Sequence, residues 1–292
     1  TVEPVHIGYF DSLEEIAAAK AEILDGLEPG GVAVLNRDND FFAFLEAQAK
    51  AAGAGQVLGF GAHPEAQVRL KDAAMHENDS CVAARICDHD AIYKMGAPGR
   101  HMVLNSLAIL AVVEALGADL ALAALALGDV TAPEGRGART RLLAPGGQVT
   151  LIDESYNANP ASMRAALSLL ATTKTGRGGR RIAVLGDMLE LGQYAHELHR
   201  ELALSVVESG ADLVFASGAN MKLLWDELPP ALRGAYSETS EGLSARFVDE
   251  IRGGDVVMVK GSLASCMGPL AEALKNRYPK AETGTAPLRQ GE

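Results

Sequence analysis

Val149-Thr-Leu-Ile-Asp-Glu-Ser-Tyr-Asn-Ala-Asn-Pro160 passes from an apolar run through a polar turn into a helix start. Asn159 suits an N-cap and Pro160 the first helical position, and a helix N-terminus favours anions. The same residues also fit an ordinary strand-to-helix turn. The wider pattern decides the fold. Four apolar runs, Val149–Ile152, Ile182–Leu185, Leu213–Ala216 and Val256–Val259, are separated by helical segments, as in a parallel sheet with crossovers. Each run finishes in groups able to touch a ligand: Asp153-Glu154, Gly186-Asp187, Ser217-Gly218 and Lys260-Gly261-Ser262. Open α/β sheets bind ligands beyond the carboxyl ends of their strands, where these residues fall.

Upstream the pattern is mixed α/β. Ser12 and Glu15 have capping-box spacing, and Ile16, Ile23, Leu24 and Leu27 then recur at helical intervals up to Gly30. The spacing predicts one helix of roughly four to five turns, with Lys20 on its apolar stripe. Val32–Leu35 reads as a short strand, and residues from about Gln67 to Met95 as β-like pieces separated by polar turns. After Pro98-Gly99 comes an Ala/Leu-rich helical pair, with Gly117 between its members and Gly128 after them. The Pro/Gly-rich stretch Thr131–Gly137 is the expected hinge, dividing the chain into 1–133 and 134–292. From about residue 279 the composition predicts a disordered tail.

The 292 residues, 48% hydrophobic and 22% charged, are enough for two globular domains. A formal charge of −12 argues against a nucleic-acid or anionic-membrane surface, since like charges repel, and favours small-molecule chemistry. Cys81, Cys87 and Cys266 are odd in number and form no CxxC pair, which fits a reducing cytoplasm rather than a disulfide framework or zinc site. The longest apolar stretch, Leu104–Leu127, is broken by Glu114, Gly117 and Asp119 and reads as two helices, not a membrane span. The chain begins at Thr1 without Met, and an upstream portion is expected to precede it.

Ile152-Asp-Glu-Ser-Tyr-Asn-Ala-Asn-Pro160, followed by Val184-Leu-Gly-Asp-Met-Leu-Glu-Leu-Gly192 and then His199, resembles the Mur ligase family. The likeness is to the member that adds D-alanyl-D-alanine to UDP-N-acetylmuramoyl-tripeptide. His6-Ile-Gly-Tyr-Phe-Asp-Ser12 with Ala19-Lys-Ala-Glu-Ile23, Gly99-Arg-His-Met-Val-Leu-Asn105, Gly135-Arg136 and Lys260-Gly261-Ser262 agree in order and spacing. The resemblance runs from Val2 to about Leu274. It implies the C-terminal part of a central ATPase domain followed by a Rossmann-like domain with a mostly parallel sheet.

It also implies roles. His6 is similar to a ligand of a second Mg2+, and Lys20 to a lysine that becomes a carbamate. Burial would supply the neutral amine that reacts with carbon dioxide, and a carbamate oxygen suits a hard cation. An ordinary lysine snorkelling from the helix edge is the competing reading. Asn105 is implied at the adenine, a task for which a carboxamide both donates and accepts. Arg136 resembles an arginine reaching the transferred phosphate, which its planar fork fits. Glu154 looks like the residue on the ribose hydroxyls, with Tyr156 and Asn157 beside the nucleotide. Asp187, Glu190 and His199 are implied on the dipeptide side, and Lys260 and Ser262 at a substrate carboxylate. Two departures from the family pattern stand at Met102, where an Asn is expected, and Leu263, where an Arg is frequent.

The activity implied is that of a monomeric, cytoplasmic ligase of peptidoglycan synthesis, using ATP and Mg2+. No G-x-x-x-x-G-K-[ST] phosphate loop occurs in the sequence, so the expectation is that this chain alone is inactive. A folylpolyglutamate or cyanophycin-type ligase shares the same nucleotide logic. A non-catalytic interaction module built on a nucleotide-binding-like fold is the reading from another class.

Overall fold

The computed structural model describes residues 2–3, 7–10, 12–76, 78–133 and 135–281. They form two compact units. The first is Thr1–Pro133 with Asn159–Ala165 and Met188–Leu198; the second is Glu134–Ala158, Ala166–Asp187 and His199–Glu292.

In the first unit Ser12 Oγ accepts the Glu15 N–H at 3.2 Å and starts α1 (Leu13–Ala21). The single long helix expected from the apolar spacing does not form, because the backbone tightens into a 3-10 turn over Glu22–Gly26. Three residues per turn instead of 3.6 swings Ile23 outward, leaving it 81% exposed, while Ile16, Ala17, Ala21 and Leu24 stay buried. Lys20 is exposed, which corrects its expected place on a buried stripe. The burial argument for a reactive amine goes with it.

β1 (Val32–Asn36), α2 (Phe42–Ala51), β2 (Gln56–Gly61), β3 (Val68–Met75), β4 (Ser80–Ile86) and β5 (His89–Met95) follow. The strands pair in sequence order, β1 to β3 parallel and β3 to β5 antiparallel. In β4 the alternate residues Val82, Ala84 and Ile86 are buried, as a strand with one face on a core requires. That face meets Val103, Leu107 and Leu110 of α3 (Arg100–Ala115), with α4 (Leu120–Leu127) beside it.

The second unit opens with the hairpin β6 (Ala138–Ala144) and β7 (Gly147–Glu154). Then come, in chain order, α5 (Pro160–Thr172), β8 (Arg181–Gly186), α6 (Ala195–Glu208), β9 (Leu213–Ser217), α7 (Met221–Glu227), β10 (Arg233–Ser237), α8 (Ser240–Glu250), β11 (Val256–Lys260) and α9 (Gly268–Arg277), the first residues of α5 and α6, up to Ala165 and Leu198, counting with the first unit. The sheet order is β10-β9-β8-β11-β7-β6, parallel from β10 to β7 with β6 antiparallel at the edge. Every residue of β11 is buried, because this last strand inserts between β8 and β7 and helices cover both faces. On one face Leu243 and Phe247 of α8 and Leu270, Ala271 and Leu274 of α9 meet Val184, Phe215, Val257 and Val259. Each of these side chains other than Ala271 contributes about 1.5–3 kcal/mol on burial.

The fold is α/β, and the four apolar runs are its central parallel strands. Two strands carry no such run. β10 (Arg-Gly-Ala-Tyr-Ser) buries only Ala235, and β6 (Ala-Arg-Thr-Arg-Leu-Leu-Ala) only Leu142. The expected tail is also shorter at its start. Leu143 N–H donates to Pro279 C=O and Ala281 N–H to Arg141 C=O, both at 2.8 Å, so residues 279–281 lie along β6. Residues 282–292 lie outside the described residues.

Candidate active site at the carboxyl edge of the parallel sheet

β11 and β7 run in register, with Lys260 opposite Glu154 at their carboxyl ends. Lys260 is 2% exposed. Its Nζ donates to Asn157 C=O at 2.9 Å and lies 3.5 Å from Glu154 Oε2. Burial lowers the ammonium's pKa, while Glu154 opposes that shift and Arg136 adds to it. A buried cation with a carboxylate and a carbonyl is costly to set up and costly to break. The residue anticipated at a substrate carboxylate therefore spends its charge inside the protein.

The turn it holds is equally constrained. Ser155 donates to Asp153 Oδ1 from both its N–H and its Oγ, at 3.2 and 2.6 Å, while Lys275 Nζ meets Asp153 Oδ2 at 3.2 Å. Asn159 Oδ1 accepts the Ser162 N–H at 2.8 Å, and Ser162 Oγ accepts the Asn159 N–H at 3.0 Å. This reciprocal pair caps α5, as Asn159-Pro160 implied. Ser262 Oγ donates to Ala158 C=O at 3.3 Å, fastening the residues after β11 to the same turn.

Tyr156 leads from the turn to the stretch before β6. Its N–H donates to Gly135 C=O at 3.1 Å, and the Arg136 guanidinium carbon lies 4.2 Å from its ring centroid. Both side chains are exposed, so a guanidinium stacked on a phenol faces outward beside the sheet's carboxyl edge. Asn157 is exposed next to them. Arg136, Glu154, Tyr156, Asn157, Lys260 and Ser262 are thus brought together by β7, β11 and the intervening turn.

Asp187, at the end of β8, is occupied otherwise. Oδ1 accepts the Met221 N–H at 2.7 Å and Oδ2 the Asn220 N–H at 3.3 Å, so the carboxylate covers the start of α7. Gly218 has φ +118°, and a Cβ there would lie 2.3 Å from that carboxylate. The polar residues at the ends of β8 and β9 therefore serve each other. His199 is fully buried, with Nε2 3.9 Å from Asp187 Oδ1. Glu190 is exposed at φ +62°, and its C=O accepts the Gly8 N–H at 2.9 Å. A Cβ on Gly8 would stand 2.7 Å from Gly192 N, so residues 8 and 190–192 touch backbone to backbone within the first unit. No spacing rule foretold that contact.

Asn105 is exposed on α3, and Lys20 on α1. His6 lies outside the described residues. Among the described residues no three His, Cys, Asp or Glu side chains converge as a metal site. None of their helices is long and apolar enough to cross a membrane.

Residues 1–113 match the Mur ligase middle domain and residues 138–263 the Mur ligase, glutamate ligase domain. The chain belongs to the Mur ligase family. Among curated relatives, the UDP-N-acetylmuramoyl-tripeptide--D-alanyl-D-alanine ligase of Rickettsia prowazekii is 27% identical over 89% of this chain and 57% of its own. The protein of the same name from Mycobacterium tuberculosis (strain CDC 1551 / Oshkosh) is 32% identical over 94% of this chain and 56% of its own. A crystal structure of MurF from Acinetobacter baumannii superposes with a TM-score of 0.81 at 24% identity, covering 94% of this chain and 58% of that one. This Mur ligase chain thus spans somewhat over half the length of the relatives it matches, and the crystal structure supports its fold.

Proposed function

We propose that the chain is the middle and C-terminal part of an ATP-dependent amide ligase that adds D-alanyl-D-alanine to UDP-N-acetylmuramoyl-tripeptide in peptidoglycan synthesis. The observation that carries the reading is the match, over about nine-tenths of the chain, to relatives bearing that name. In the reaction the γ-phosphoryl group of ATP passes to the terminal carboxylate of the tripeptide. The dipeptide amine then attacks the acyl carbon and phosphate leaves with one carboxylate oxygen. No covalent bond to the enzyme is needed, so catalysis rests on positioning and charge.

The exposed Arg136–Tyr156 pair suits that chemistry. A guanidinium fork binds phosphoryl oxygens through two hydrogen bonds, and an aromatic face can support a planar ring. Asn105, exposed on α3, would contribute the adenine contact, and Glu154, Tyr156 and Asn157 the remaining nucleotide contacts. The dipeptide-side roles of Asp187, Glu190 and His199 become indirect on this reading, because Asp187 covers α7 and His199 is buried behind it. Glu190 would act through the backbone it gives to Gly8. His6 and Lys20 keep the proposed link to Mg2+ by resemblance alone. The setting proposed is the cytoplasm, where the ATP and the UDP-linked precursor meet.

The nearest competing reading is a glutamate-adding ligase of the same fold. The test is to extend the chain at its N-terminus to the length of its relatives and assay phosphate release with D-alanyl-D-alanine or L-glutamate as acceptor. Release that requires the tripeptide nucleotide and D-alanyl-D-alanine is expected. Release with glutamate and not the dipeptide would replace the proposal.

A further inference from the structure

We infer that Lys260 is a positioning residue: an internal ammonium that clamps the 154–158 turn to β11 and thereby sets the Arg136–Tyr156 pair, rather than a group that grips substrate. The inference rests on the ligase reading for its consequence but on geometry for its content.

Three facts make the clamp. The ammonium is 2% exposed, so a substrate carboxylate could reach it only by displacing the turn. Its hydrogen-bond partners are a backbone carbonyl, Asn157 C=O at 2.9 Å, and the Glu154 carboxylate at 3.5 Å, which stand at opposite ends of one tight segment. Ser262, two residues on, adds a second tether to Ala158 C=O at 3.3 Å. Between these anchors projects Tyr156, whose N–H holds Gly135 C=O at 3.1 Å and whose ring carries Arg136 at 4.2 Å. The path from the central strand to the exposed guanidinium is therefore continuous: β11, ammonium, turn, phenol ring, arginine. Gly135 and Gly137, at φ +70° and +91°, flank Arg136 and are tied to the same segment, Gly137 N–H donating to Asp153 C=O at 2.8 Å, so movement of the turn would carry the arginine's backbone with it. What steadies the guanidinium is the ring beneath it.

A buried lysine without its two partners would leave an unpaired charge, so its retention in a fully buried strand calls for a return beyond packing. Holding the turn is that return. Misplacing a phosphoryl-contacting group by about 1 Å can lower a rate on the order of 100-fold.

Two measurements test the clamp. In the chain itself, hydrogen exchange of Lys260→Met should quicken at residues 135–137 and 154–158 while β8 and β9 stay protected. If the sheet also loses protection, Lys260→Gln decides, since its neutral amide falls one bond short of the ammonium's reach. Unchanged exchange at those residues in the folded variant overturns the inference. In the N-terminally extended enzyme, Arg136→Ala, Lys260→Met and the double variant form a cycle. Lys260→Met should lower kcat by roughly 10- to 100-fold with little change in KM, and the double variant should be no worse than Arg136→Ala. Losses that multiply, or a Lys260→Met loss confined to substrate KM, would mean that the lysine meets substrate directly. If the extended enzyme shows no ligase turnover, the functional reading fails while the exchange arm still judges the clamp.

Discussion

Tyr93 shows how a single polar group is accommodated in the first unit's core. Its hydroxyl meets Ser106 Oγ at 2.6 Å, and Ser106 Oγ in turn donates to Val103 C=O at 2.7 Å. Burial pushes the phenol's pKa up to about 12, and the Ser106 hydrogen bond tempers that rise. A folded-state pKa above the unfolded value of 10.0 means that the native state holds the proton more tightly, so this contribution to stability is complete below pH 10.0 and is lost as pH climbs towards about 12. Tyr93→Phe should cost about 1 kcal/mol at neutral pH, because Ser106 keeps its backbone acceptor. Its urea midpoint should also fall less steeply than the wild type's through that alkaline window. A variant whose alkaline loss matched the wild type would show that Tyr93 does not titrate there. At this scale the sequence was a partial guide. The segment Asp153–Pro160 stood out because polar residues crowd one strand end, and resemblance named Glu154, Tyr156 and Asn157 within it, yet nothing in Lys260-Gly-Ser262 announced that the lysine would turn inward. Lys20 erred in the other direction, since α1 turns Ile16, Ala17 and Ala21 to the core, a face running through small alanines that the spacing of the large apolar residues did not mark.

Among the elements, α5 was the most legible, because Asn159-Pro160 specifies a start by two independent mechanisms. The cap is realised in both directions between Asn159 and Ser162. Asn159→Ala should therefore lower stability by about 1 kcal/mol, read from the denaturation midpoint, whereas Asn159→Asp should cost little because it keeps the acceptor. Equal losses for the two would indicate that Asn159 acts by something other than capping. β7, β8, β9 and β11 were visible for a physical reason as well: strands buried on both faces must be apolar throughout. β10 and β6 were not. They are the sheet's two edge strands, where half of each strand can be polar, and neither carries an apolar run of four like the central strands. The pairing of residues 279–281 along β6 is a backbone event that leaves almost no side-chain signature.

For the whole molecule, the order of motifs carried more than any motif did. Six short stretches in family order indicated a Mur ligase, and the matches over residues 1–113 and 138–263 agree. The insertion of β11 between β8 and β7 is what converts that order into a site, since it sets Lys260 opposite Glu154 although 106 positions separate them. The proposed chemistry makes a direct demand on oxygen atoms. With tripeptide nucleotide labelled with 18O in its terminal carboxylate, and D-alanyl-D-alanine and ATP supplied to the N-terminally extended chain, the released inorganic phosphate should carry one labelled oxygen for each amide bond formed. Amide formation accompanied by unlabelled phosphate would contradict an acyl-phosphate ligase.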